Sequence, residues 1–156
     1  MDPLTLKWVH IVSSTVLFGT GLGTAFQGWF AHRTGEPKVI AAVFRNIVWA
    51  DWLFTATSGV IQPLSGILLA RAMGYDLKES WLVAAFALYG LAALCWFPVV
   101  WIQMKARDLA ADAAVAGAPL PALYGRLMRL WFALGWPAFL ALLGVFWLMV
   151  KKPALW

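Results

Sequence analysis

Cysteine occurs once in this chain of 156 residues, histidine twice and acidic side chains only seven times. The lone Cys95 excludes an intrachain disulfide framework and a thiolate metal cluster. It lies inside an apolar run, where a free thiol behaves as a small packing hydrophobe. Charged residues of all kinds make up 12% of the chain, too few to coat a soluble fold of this size. The signatures of soluble enzymes are also missing: there is no P-loop, no HExxH and no Ser/His/Asp set. Gly19-x-Gly21-x-x-Thr24 has only the outline of a dinucleotide fingerprint, since no strand precedes it. The formal charge of +5 does not imply nucleic acid, because the basic residues stand at the ends of apolar runs rather than on one face.

What the chain has in excess is hydrophobic residues, 63% of the total, with a mean hydropathy of +0.78. That composition predicts an all-α, polytopic membrane protein, a four-transmembrane-helix bundle in one membrane domain covering 1–156. A hydrocarbon core of ~30 Å needs about 20 residues per span. The spans are expected at about 6–30, 46–70, 81–104 and 130–150, with an earlier start of the second helix, at Val39, left open. The first is read as a retained helix rather than a signal peptide, because three further spans follow it. The alanine-rich stretch after Met104 can continue as a solvated helix until Gly117, Pro119 and Pro121 end it.

Counting Lys and Arg near the span ends gives seven (Arg33, Lys38, Arg45, Lys105, Arg107, Arg126, Arg129) against five (Lys7, Arg71, Lys78, Lys151, Lys152). The positive-inside rule then puts both termini outside the cytoplasm. Trp8, Trp81 and Trp147 are expected in one aromatic belt and Trp29, Trp101 and Trp131 in the other. Gly19 and Gly23 form a GxxxG pair, a contact face for helix 4 or, in a homodimer, for a second copy. Pro63, Pro98 and Pro137 fall inside spans and predict kinks.

Ionisable groups in hydrocarbon are costly and point to function. Two polar layers emerge from a rise of about 1.5 Å per residue. His10, Gln62, Trp81 and Met149 fall in the outer layer. Asp51 lies in the inner layer, near the level of Arg45, Gln103, Arg126 and Arg129, and an arginine partner would neutralise it. Imidazole is a common ligand for haem iron, which makes His10 a candidate metal ligand. His32 cannot be a second axial ligand in the same chain, because 22 residues of helix separate it from His10, about 33 Å. A five-coordinate haem, a His10 and Met149 pair, and a site shared across a dimer all remain open.

The stretches LKWVHIVSSTVLFGTGLG, ADWLFT, VIQPLSG, WFPVVWIQMKARDLA, RLWFALGWPAF and MVKKP resemble an uncharacterised family of bacterial four-helix integral membrane proteins. That resemblance spans nearly the whole chain and implies the bacterial inner membrane, with lipids as partners. More distantly, Lys7-x-x-His10-Ile11-x-Ser13, the arginine before an aromatic pair at Arg129, and Lys152-Pro153 are similar to HemJ-type protoporphyrinogen IX oxidases, small helical membrane proteins that bind haem b. In that family a histidine and a lysine follow the third-helix tryptophan. Here Trp81 is followed by Leu82, Val83, Ala84 and Ala85. The resemblance implies haem b on His10, with Lys7 or Lys151 meeting a propionate and a quinone or porphyrin as exchange partner. The other readings are a small transporter or channel component using Asp51, Gln62 and Gln103, and a non-catalytic accessory subunit.

Overall fold

The computed structural model describes residues 2–156, all of whose regular structure is helical. Four helices are long and apolar enough to cross a membrane: α1 (Pro3–Thr34), α2 (Pro37–Ala72), α3 (Ser80–Ala116) and α4 (Ala122–Lys151). Connections of two to seven residues force antiparallel neighbours, an up-down-up-down bundle.

Local chemistry sets the helix ends. Asp2 caps α1, its carboxylate accepting from the amides of Leu4 (2.9 Å) and Thr5 (3.0 Å), while Pro3 occupies the first helical position. Gly35 at φ +66° and Gly117 at φ +62° close α1 and α3 in the left-handed conformation that glycine adopts without a Cβ penalty.

Tryptophans toward the helix ends give the bundle a scale. From Trp8 to Trp29 is 21 residues, and from Trp81 to Trp101 is 20, in each case about 30 Å of helix and hence one hydrocarbon thickness. Trp29, Trp49 and Trp101 therefore mark one membrane level, and Trp8 and Trp147 mark the other.

The helices run beyond the stretches that hydropathy alone marks out. α2 begins at Pro37, well before residue 46, and α4 begins at Ala122 rather than near residue 130. Past the tryptophan level α2 contributes 12 residues and α3 contributes 15, so this cap stands about 20 Å off the membrane. Its interior explains why the chain stays helical there. Ile40, Phe44 and Ile47, at helical spacing, pack against Ile102, Ala106 and Ala110 of α3 and against Tyr124, Leu127, Met128 and Trp131 of α4. The largest fully buried side chains among the described residues, Phe44, Ile40, Ile47, Ile102 and Met128, all belong to this cluster. The expected solvated continuation of α3 is thus wet on one side only; its alanines let α2 approach on the other.

At the opposite end Trp81, Leu82, Ala85 and Leu148 pack with Ala70, and Met149 joins them. The C-terminal tail is clamped there. Lys152, at φ +45°, sets its Nζ 2.7 Å from Tyr75 Oη and 4.5 Å above the Tyr75 ring, and Leu155 N donates to Ser80 Oγ at 2.8 Å. Between the two ends Phe18 of α1 stacks on Phe139 and meets Phe146 edge-on, with centroids 5.3 and 5.2 Å apart.

The glycine pair of α1 meets nothing in its own chain. A Cβ at Gly19 or Gly23 would find no atom within 4 Å, and the same holds for Gly135 of α4. Close approach occurs elsewhere, at Gly28 against Trp131 and at Gly144 against Leu88. Bulky aromatics hold α1 and α4 apart at mid-depth, so their small residues do not interlock.

Candidate functional site

The helix that carries the site is α2. Its buried polar residues fall at Asp51, Thr55, Ser58, Gln62 and Ser65, spacings of four, three, four and three, which place all five on one face. Each is at most 9% exposed, Asp51 only 3%. The stripe runs over 15 residues, 51–65, about 21 Å from first to last, two thirds of the hydrocarbon core.

At the outer end four side chains from α1 and α2 close a network. Ser13 Oγ donates to Gln62 Oε1; the Gln62 amide nitrogen lies 3.2 Å from His10 Nε2; His10 Nδ1 lies 3.0 Å from Ser65 Oγ. The imidazole edge rests on Gly66, where an added Cβ would come within 3.0 Å of Cε1. Glycine at that position is what lets α1 and α2 approach closely enough for these bonds. A cleft of about 250 Å³, lined by Trp8, Val12 and Ile61 among others, reaches Ser13 and Ser58 from the side.

In the middle, Pro63 explains a tyrosine. Proline has no N–H, so the carbonyl four residues earlier, that of Gly59, loses its helical donor. Tyr89 Oη of α3 replaces it, donating to Gly59 O at 2.6 Å. In lipid such replacement is obligatory, because no water is there to satisfy the carbonyl.

At the inner end α2 widens. Residues Asp51–Thr55 form a π-helical turn in which the Ala56 amide reaches back to Asp51 O. Such one-residue bulges are uncommon inside α-helices and concentrate at functional sites. Thr55 Oγ1 donates to Asp51 Oδ1 at 2.9 Å, and the Gln103 side chain stands beside the same carboxyl. Asp51 Oδ2 and Gln103 Oε1 are both buried without a donor.

Several expected partnerships are absent. No arginine pairs with Asp51: the one ion pair among the described residues joins Arg107 and Asp108, while Arg45, Arg126 and Arg129 are exposed. Their stems carry the guanidinium groups outward to water, and threonine and glutamine take the place of a counter-ion. Met149 packs beside Leu148 and Trp81, whereas both ring partners of His10 come from α2. Lys7 and Lys151 are exposed at the same end of the bundle. As folded, the setting of His10 does not fit a haem iron, because neither ring nitrogen is free and Gly66 covers the ring edge.

The depth argument from sequence does bring His10 to Gln62 and Asp51 to Gln103. It misses Thr55, Ser58, Ser65 and Tyr89. The signal for the first three was the four-three spacing of hydroxyls between the two marked residues. Tyr89 was legible only through the carbonyl that Pro63 strips of its donor.

Fold and site together define a four-span helical membrane protein with a polar seam along its second helix. The chain belongs to the family described as predicted integral membrane protein (DUF2269), which matches residues 4–153. No curated protein and no solved structure matches it.

Proposed function

We propose that the protein is a small membrane transport component that passes protons along the polar face of α2, between Asp51 and the His10 network. The observation that carries this reading is the unbroken four-three series of buried polar residues across most of the hydrocarbon core. Intramembrane ionisable groups are costly and recur in proton relays, where carboxyl, hydroxyl and imidazole groups hand a proton on. In this reading Asp51 is the inner proton holder. It shares an acceptor-rich pocket with Gln103, and a proton on its carboxyl would add a second donor beside Thr55, where Asp51 Oδ2 and Gln103 Oε1 have none. His10, Ser13, Gln62 and Ser65 form the outer relay, with Ser58 and Tyr89 between the two ends. In this reading the carried species is the proton rather than a hydrated ion, because the seam side chains of α2 are buried.

Reconstitution into liposomes loaded with a pH-sensitive dye tests this. Under an imposed potassium diffusion potential, wild-type protein should acidify the lumen faster than empty vesicles. Asp51→Asn should abolish the excess while leaving the fold intact, since an amide can donate within the same pocket. Wild-type flux equal to that of empty vesicles ends the proposal. The haem b reading of His10, with Lys7 and Lys151 at the propionates and a quinone or porphyrin as exchange partner, is supported by sequence resemblance and requires Gln62 to release Nε2. A reduced-minus-oxidised spectrum of the purified protein separates the two: a b-type band lost in His10→Ala would replace the transport reading. A homodimer through Gly19 and Gly23 is compatible with either.

A further inference from the structure

The outer surface of the cap carries a groove of about 370 Å³ that the polar seam does not use. Lys38 and Arg45 of α2 face Arg107 and Asp108 of α3 across a floor of alanines, among them Ala41 and Ala111. The alanines create the space, since their side chains end at Cβ.

Charge in the groove is unbalanced. Asp108 is committed to Arg107, with Nη2 and Nε each 2.8 Å from Oδ1. That pair is the single ion pair among the described residues, so Lys38 and Arg45 are cations without a counter-ion. Depth then narrows the ligand. Arg45 lies four residues outside Trp49, and Arg107 six outside Trp101, or about 6 and 9 Å beyond the tryptophan level. The headgroup layer occupies roughly 5–8 Å outside the hydrocarbon on each side. Both guanidinium groups therefore stand near the height of lipid phosphates, while Lys38, eleven residues outside Trp49 or about 16 Å, adds positive charge at the outer rim of the groove. The ring of Trp49 is 63% exposed just below, a surface for the start of an acyl chain.

We infer that this groove binds the phosphate of an anionic phospholipid headgroup, with Arg45 as its counter-ion, Arg107 held beside it by Asp108, and Lys38 adding positive potential from the outer rim. Neutral lipids offer the groove no net charge, so the site selects by charge. Basic pockets between membrane helices meet anionic headgroups by this physics, and each interfacial cation contributes on the order of a fivefold preference.

The test is native mass spectrometry of the full chain released from micelles holding equal phosphatidylglycerol and phosphatidylcholine. Wild-type protein should retain phosphatidylglycerol in excess. The double variant Lys38→Gln, Arg45→Gln should lose roughly tenfold or more of that excess. Ala42→Leu, which adds bulk at the groove without altering charge, should lower it too; both sets of positions are exposed, so the fold tolerates them. Arg71→Gln with Lys78→Gln, at the opposite end, should leave it unchanged. Equal retention of the two lipids by wild type, or an undiminished excess in the double variant, overturns the assignment. Displacement of bound phosphatidylglycerol by excess orthophosphate would also overturn it, in favour of a soluble phosphate ligand; resistance to orthophosphate supports the lipid.

Discussion

The residue-scale logic is clearest where one side chain answers for another's defect. Pro63 strips Gly59 O of its donor and Tyr89 supplies one at 2.6 Å. Tyr89→Phe should therefore cost about 1–3 kcal/mol, the range for leaving a buried acceptor unsatisfied. In a Pro63→Ala background the helical amide returns, so the same change should cost much less. Unfolding midpoints of the four proteins in detergent give the coupling. An equal cost in both backgrounds refutes the account. Asp51 follows a related rule: its expected partner was an arginine, and the fold gives it Thr55 and Gln103. A long cation near a membrane surface gains more by reaching water than by following a carboxylate inward, and a depth estimate alone does not contain that preference.

At the scale of elements, the ends of the helices separate what was legible from what was not. The four spans and their order could be read from apolar runs, because length and hydropathy are all that crossing a membrane demands. The cap could not be read that way. Ile40, Phe44 and Ile47 sit among charged neighbours that dilute any running average, and their partners Ile102, Ala106 and Ala110 lie some sixty residues away. Phe44→Ala should expose the cap's importance, costing about 3–5 kcal/mol as a large-to-small change at a site with no exposure. Phe97→Ala, whose ring is 65% exposed on α3, should cost far less when both are followed by thermal unfolding.

The start of α1 gives a pH prediction. The Thr5 hydroxyl, bonded at 2.5 Å, and the Thr5 amide hold the Asp2 carboxyl below the usual carboxylate range. A carboxyl depressed in the folded state adds stability that is present above its unfolded value and lost as pH falls through the folded one. Protonation should fray the first turn. Hydrogen exchange at the Leu4 and Thr5 amides, corrected for intrinsic rates, should then rise relative to that at Ser13 and beyond as pH falls below the ordinary aspartate value. Unchanged relative protection would remove the cap from the account.

For the whole molecule, the seven-to-five count of basic residues gives the expectation that the cap and its groove face the cytoplasm. The two orientations predict opposite labelling. A cysteine introduced within 110–118, in a Cys95→Ala background, should resist an impermeant maleimide in intact cells and react once they are opened. Reaction in intact cells would turn the protein over. The expected sidedness also gives the groove a purpose, because anionic lipid concentrates in the leaflet facing the cytoplasm.

The distribution of hydrogen bonds between the two halves of the chain carries a consequence for synthesis. Everything His10, Ser13, Gln62 and Ser65 need is supplied by the first two helices, so that network can close as soon as the leading hairpin leaves the translocon. Gly59 O cannot be satisfied so early, since Tyr89 belongs to α3, and the Gln103 side chain that stands beside the Asp51 carboxyl arrives with the same helix. Until the third helix arrives, the nascent protein holds a bare carbonyl and a carboxyl with Thr55 as its donor at membrane depth. A chain truncated after residue 80 would leave a hairpin whose outer network is closed while Gly59 O at its centre lacks a donor.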